Sequence, residues 1–424
     1  MRRIIIQERA QIHPFNEPAR ELRVQNKPLW LHQRDLLARY VSEEREYESF
    51  EQAVRGEKFE AREALALCDN LFFNAELIDE FMSRARQTGG PARLALSCDD
   101  PAVRRHIWPL TSSLATQDGL VLADMWYLPG GLHAYREARP LVISTESREI
   151  GYYHVPTYMA DFKGDLVYQL PRKALVVVES WVHLFVIDVI FGVFALGKAL
   201  EERVDREWPF RLGVLARALL EQRRVLDSSA LVSVGRNANI DPSAVIHGRT
   251  VIGDNVTIGP GAVIDNCIIG NNVNVAQGCQ LMLSVVSDGC FLPFRASLFM
   301  STLMENTMVA QNTCLQLCVV GRDTFIGAGT TFTDFKLLPG PLRAAASGGQ
   351  LAPTDLHVLG GCVGHHCRLG SGLLIYPART VESDVVLLAQ SARHIITDNV
   401  SYEQSDHHAL KLAYPYPRLY PRSP

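Results

Sequence analysis

From Ile240 the chain repeats an isoleucine at every sixth position: Ile240, Ile246, Ile252, Ile258 and Ile264. The register then slips by one. It resumes at Ile269, Val275 and Leu281, then at Val286, Leu292 and Leu298, at Val320, Ile326 and Phe332, and finally at Val363, Leu369, Ile375 and Val381. A step of six places one aliphatic side chain inward on each flat strand of a three-faced coil, and three hexads close a turn of about 18 residues. The pattern predicts a left-handed parallel β-helix of roughly seven coils across residues 229–398.

The same frame assigns the small positions. Four residues after each inward aliphatic stand Ala244, Thr250, Val256, Ala262, Thr324 and Thr330, and Cys279, Cys290 and Cys367 share that slot. These three cysteines are expected in the core as small hydrophobes. Gly253, Gly259, Gly270, Gly321, Gly327 and Gly370 each follow an inward aliphatic and are expected to give the corners backbone freedom. The hexads stop between Phe332 and Val358, where a Pro-, Gly- and Ala-rich stretch predicts an inserted loop, 333–357. The end, 399–424, closes on YPYPRLYPRSP and predicts an extended tail.

Residues 1–228 alternate differently. III at 4–6, EALALCD ending at Cys68 and Asp69, and PARLALS predict strands, while LWLHQRDLLARYVSEE and NAELIDEFMSRARQT predict amphipathic helices. Asn74 is placed to cap the second helix and Gly89–Gly90 to stop it. Alternating strands and helices imply a mainly parallel sheet with functional groups at strand ends, where Asp69 falls. The apolar run 174–197 carries Glu179, His183 and Asp188 near its middle. Charge at a bilayer centre is costly, so this run predicts a strand and a buried helix, with no membrane contact. Asp188 within it requires a partner.

Composition narrows the function classes. At 47 % hydrophobic and 21 % charged the chain is globular, and a formal charge of −4 lacks the basic footprint of a nucleic-acid binder. The opening MRRIIIQERAQIHPF has too short an apolar run for a secretory core, so a cytoplasmic protein with free thiols is expected. CVGHHC at 362–367 has zinc-ligating residue types. With Cys367 inward and its neighbours alternating away, one strand does not converge all four on one ion. His365 and His366 are instead expected to reach from the coil surface toward solvent or a subunit interface, where one can act as a general base.

An α/β half followed by such a coil resembles the sugar-1-phosphate nucleotidyltransferases, and most of all the bifunctional uridylyltransferase/acetyltransferase branch. PARELRVQNKPL resembles the segment ending in Lys-Pro before that family's first helix, CDNLFF its strand-end Gly-Asp, VIDVIFGVFALGKALEERV the stretch around its second metal ligand, and QLCVVGRDTFIGAGTTFTDFK its acetyltransferase stretch. The resemblance implies Mg2+ held by Asp69 and Asp188, nucleotide contacts from Arg20 and Asp69, a nucleotide and a sugar phosphate as partners, and a homotrimer. The family's glycine-rich phosphate loop is replaced by QERAQIHPFNEP, and no glycine precedes Gly56. The family's phosphate-contacting lysine falls at Ala19, leaving Arg20 or Lys27 to supply the charge. Its acetyltransferase histidine falls at Gln316, which has no basic nitrogen, while Asp334 and Lys336 keep that loop's charges. Three readings stay open: nucleotidyl transfer to a sugar 1-phosphate, a non-catalytic trimeric scaffold or nucleotide- or sugar-binding protein, and an acyltransferase using His365 or His366.

Overall fold

A computed structural model describes residues 1–57, 62–155, 164–222, 224–225, 228–336, 341–346, 349–409 and 416–423. The chain forms two compact units. The first comprises Met1–Ile12, Glu17–His183 and Ala346–Asp355; the second comprises His13–Asn16, Leu184–Ala345 and Leu356–Pro424.

In the first unit β1 (Arg2–Ile6), β2 (Glu43–Tyr47), β3 (Ala64–Cys68), β4 (Ala92–Ser97), β5 (Leu120–Leu128) and β6 (Arg139–Val142) build one sheet in the order β6-β4-β5-β3-β1-β2. β1 pairs in parallel with β2 and β3, and β6 with β4, but β5 runs antiparallel to both neighbours. The sheet is therefore mixed, where a mainly parallel one was expected. The local pattern of β5 is that of any buried strand and carries no direction. β1 is buried along its whole length, including Arg2 and Arg3. Arg2 pairs with Glu57 and Glu43, and Arg3 with Glu44, so the two guanidiniums are neutralised where they enter the core.

Helix α1 (Leu29–Leu37) buries Leu29, Gln33 and Leu37, an i, i+4, i+8 stripe, and ends earlier than its amphipathic pattern predicts. The residues assigned to its tail form β2 at the sheet edge, where Glu43 and Glu44 meet the arginines of β1. A short α2 (Phe50–Gly56) follows, capped by Ser49. Helix α3 (Ala75–Thr88) matches its prediction: the Asn74 side chain accepts from the Leu77 amide, and Gly89 takes the left-handed φ of 68° that ends the helix.

The second unit is the predicted coil. Three parallel sheets of eight strands each form its faces, one coil more than the hexads suggest. Ile240 pairs with Ile258, Ile258 with Val275 and Val275 with Leu292, so the register slip is a coil one residue shorter, with its inward column unbroken. Across the 333–357 insertion Val320 still pairs with Val363 and Ile326 with Leu369. The loop carries two short strands, Arg343–Ala345 and Leu351–Pro353, and its residues 337–340 and 347–348 lie outside the described residues.

Cys279, Cys290 and Cys367 are buried in the coil's core, as the frame requires. The glycines have another reason than the one expected. Gly253 and Gly327 have no left-handed φ; a Cβ on Gly253 would stand 2.5 Å from the Gly270 carbonyl oxygen, and one on Gly327 2.5 Å from the Gly370 carbonyl carbon. These positions let successive coils touch backbone to backbone. The left-handed corners fall elsewhere: one column carries Asn255, Asn272, Asn306, Asp323, His366 and Asp384, and others carry glycines such as Gly261 and Gly278 and larger side chains such as Leu283, Met300 and Leu317.

Helix α4 (Trp181–Arg206) is long and apolar enough to cross a membrane by composition, but it is buried from Trp181 to Val193. Preceded by the strand Leu175–Val177, it is the buried helix expected of this stretch. Helix α5 (Trp208–Glu221) turns back from it.

Candidate functional site

The first candidate site lies where β1 and β3 end. Asp69 is the first residue after β3 and is almost completely buried. Its Oδ1 accepts from the Glu8 amide at 2.8 Å and its Oδ2 from the Arg20 guanidinium at 3.1 Å. Arg20, in the one-turn helix Ala19–Glu21, also reaches Glu46 of β2 at 3.2 Å and Glu21 at 3.3 Å. Burial pushes the Asp69 carboxyl above its ordinary range and outweighs the Glu8 amide and Arg20, which pull it down. Glu46, held by the Arg20 hydrogen bond, sits below its ordinary range. Asp69 and Arg20, the two expected nucleotide contacts, are brought together here. Glu46 completes the group and had no local sign, because only the β1–β2 pairing brings it there.

Beside it, Asp124 of β5 accepts from Arg93 of β4 at 2.7 Å, and the Cys68 thiol faces Asp124 at 3.8 Å. Burial and these carboxylates push the thiol far up, so it is no nucleophile. Lys27, the alternative cation, pairs with Asp35 of α1 at 2.7 Å on an exposed surface.

In the second unit Asp188 is buried in the segment Val186–Phe194 of α4, where the helix adopts wider turns and packs on the coil strand Val285–Val286. Asp69 belongs to the first unit and Asp188 to the second. Among the described residues no group of three or more His, Cys, Asp or Glu side chains is arranged to hold a metal, CVGHHC included. Gln316 lies on the coil strand Cys314–Gln316. Asp334 is pushed up by burial, and no ion pair joins it to Lys336.

The two histidines of the coil part ways. His365 does not reach solvent: it is fully buried, its Nδ1 accepts from the Arg322 amide at 2.9 Å, and it lies between the rings of Phe15 and Tyr420. It lies outside the coil's core, and Phe15 and Tyr420 cover it. His366 takes the left-handed corner, donates from Nδ1 to the buried Asp384 at 2.8 Å, and stacks on Tyr416 at 4.5 Å. Its Nε2 has no partner among the described residues, the arrangement of a general base held in one tautomer. The same corner column carries Asn237 on Asn255 and Asn255 on Asn272, so the His366–Asp384 pair is also a rung of that ladder.

The residues that replace a glycine-rich loop have a place of their own. His13–Asn16 is part of the second unit. Asn16 donates to the buried Glu382 at 2.9 Å, the Ser383 hydroxyl donates to the Pro14 and Phe15 carbonyls at 3.0 Å, and His13 meets Thr380 at 2.9 Å. Glu382 also receives Arg422 of the tail and the Tyr402 amide. Burial pushes its carboxyl up, but Arg422, Asn16 and Tyr402 together hold it below its ordinary range.

Comparison with known proteins supports a sugar-phosphate nucleotidyltransferase-like chain with a hexapeptide-repeat domain. Residues 229–295 match the GMPPB C-terminal domain. The chain is similar to the bifunctional protein GlmU of Synechococcus sp. (strain CC9605), 27 % identical over 34 % of this chain and 36 % of that protein. It is also similar to those of Synechococcus elongatus (strain ATCC 33912), 25 % over 46 % and 42 %, and Xylella fastidiosa (strain M23), 33 % over 42 % and 36 %. The chain thus spans less than half the length of these curated relatives.

Proposed function

We propose that this chain is a nucleotidyltransferase-like protein whose first unit binds a phosphorylated sugar or nucleotide without transferring a nucleotidyl group. The observation that carries this reading is the state of Asp69. One carboxylate oxygen is bonded to the Glu8 amide and the other to Arg20, which three acidic side chains surround. Mg2+ wants several oxygen ligands at about 2.0–2.1 Å. These residues do not fit it: a cation at Asp69 displaces a guanidinium, and the neighbouring carboxylates are already engaged, Glu46 and Glu21 by Arg20 and Asp124 by Arg93. The segment 13–16 is held on Glu382 and Ser383 through the Asn16 side chain and the Pro14 and Phe15 carbonyls, and Pro14 has no N–H to offer a triphosphate.

Arg20 is the group that would recognise the ligand. A phosphate approaching its exposed edge competes with Glu46 and Glu21, which are half-exposed, and leaves the buried contact to Asp69 intact. Asp69 then acts by orienting Arg20. Assembly as a cytoplasmic homotrimer through the coil is part of the same proposal.

The second reading, nucleotidyl transfer from a nucleoside triphosphate to a sugar 1-phosphate with Asp69 and Asp188 on Mg2+ and Arg20 or Lys27 on the phosphates, is favoured by the strand-end position of Asp69 and the similarity to GlmU proteins. Acyl transfer rests on His366 alone, since His365 is enclosed. Calorimetry with UTP, dTTP, GTP, CTP, ATP and sugar 1-phosphates, with Mg2+ or with chelator, separates the first two. Binding of a phosphorylated ligand that survives chelation, weakens at least tenfold in Arg20→Ala and releases no pyrophosphate is the expected result. Mg2+-dependent triphosphate binding that Asp69→Ala abolishes, with pyrophosphate release, overturns it.

A further inference from the structure

Helix α5 carries an apolar face that nothing in its unit covers. Of its residues only Val214 and Ala218 are buried, where it packs on the Ala195–Arg206 part of α4 and on the turn Ser229–Leu231. Trp208, Leu212, Leu215 and Leu219 are exposed, with Leu219 and its neighbour Leu220 each 81 % accessible. A large contiguous apolar patch of this kind on a soluble chain marks an interface.

The spacing selects the occupant. Trp208, Leu212, Leu215 and Leu219 follow steps of four, three and four, the d-a-d-a seam of a heptad repeat, which fits another helix rather than a flat surface. Ala216 flanks the seam with a small side chain, which lets a second helix approach. A lipid surface fits less well. Arg203 pairs with Glu207 and Arg217 with Glu221, which leaves Arg211 as the one arginine of α5 outside an ion pair among the described residues, too little for a basic face.

We propose that α5 is a self-association surface, the seam of one copy of this chain packing against the same seam of a second copy around a two-fold axis. The four seam side chains expose on the order of 500 Å² per copy, about 1,000 Å² for the pair, the lower limit of a specific interface. Because the contact is isologous, it doubles whatever assembly the coil forms by itself.

Sedimentation velocity on the full chain tests this with Leu212→Glu/Leu219→Glu. Both positions are exposed and glutamate is as good a helix former as most, and far-ultraviolet circular dichroism checks that the helix persists. A second variant, Leu212→Ala/Leu219→Ala, removes the seam without adding charge. Phe325→Glu, on the outer face of the coil, is the control. The wild-type species should contain an even number of copies, and both seam variants should have half its mass, with self-association weakened at least a hundredfold. Phe325→Glu should not undo the doubling. A monomeric or odd-numbered wild type, seam variants of unchanged mass, or a wild type that is monomeric and sediments with phosphatidylglycerol vesicles until the seam is mutated each overturns the proposal.

Discussion

Replacing Arg20 by alanine tests how the strand-end carboxylate is held. Asp69 is 1 % exposed and keeps only the Glu8 amide when the guanidinium goes. Stranding one member of a buried pair costs about 3–5 kcal/mol, but the carboxylate escapes by taking up a proton. At pH 7 that escape caps the cost at about 4 kcal/mol, since each unit between the ordinary carboxylate value and the ambient pH is worth about 1.4 kcal/mol. At pH 5 the same cap is about 1.5 kcal/mol. The expected loss is thus about 3 kcal/mol at pH 7 and at most half of that at pH 5. In an Asp69→Asn background Arg20→Ala forfeits only its half-exposed contacts to Glu46 and Glu21, under about 1 kcal/mol, so the double-mutant cycle should show a coupling of about 2 kcal/mol. Urea unfolding followed by tryptophan fluorescence reads the correct unit, because Trp30, Trp108, Trp126 and Trp181 all lie in the first. A coupling below about 0.5 kcal/mol, or a cost that does not change between pH 7 and pH 5, refutes the argument that Arg20 neutralises a buried Asp69.

Two carboxylates predict opposite pH responses. Folded Asp69 holds its proton more tightly than the unfolded chain, so wild type loses stability relative to Asp69→Asn as pH rises through the interval just above the ordinary carboxylate range; parallel pH profiles of the two proteins contradict this. Glu382 holds its proton less tightly, so its contribution is present at neutral pH and fades as pH falls through that range, and Glu382→Gln should abolish the pH dependence of the protection factor of the Ser383 amide, which donates to Pro14. Gly327→Ala should destabilise the coil by about 2 kcal/mol or more, since its Cβ meets backbone, whereas Gly261→Ala, with φ of 64° and open space around it, should cost about 1 kcal/mol in the same denaturant melt. Of nine cysteines only Cys68, Cys98 and Cys314 are partly accessible, so a thiol reagent should label no more than these three in the native protein and all nine in denaturant.

The coil was legible because a solenoid writes one residue of its core into every hexad, and even the slip near Ile264 proved to be a shorter coil. The eighth coil escaped the hexad count because Val309 pairs with Ile326 outside the runs that could be followed. Contacts between distant segments left less trace. The antiparallel direction of β5 depends on which strands flank it, and the shortening of α1 depends on Glu43 and Glu44 meeting arginines of β1. At the candidate site Asp69 and Arg20 were readable from position and charge, while Glu46 was not. The burial of His365 was not readable because Phe15 and Tyr420, hundreds and tens of residues away in sequence, are what cover it. Nothing near Asn16 announces Glu382.

That last contact has a consequence for biosynthesis. Asn16 leaves the ribosome 366 residues ahead of Glu382, its partner in the last coils. At about 5–20 residues per second, some 20–70 seconds separate the two. Until then the buried Phe15 and the Asn16 amide have no cradle, so a chain cut short before the final coils displays its own N-terminal segment as an unburied tag. Completion of the last coil withdraws that tag, and a full-length chain becomes distinguishable from a truncated one to any protease or chaperone that inspects exposed apolar segments.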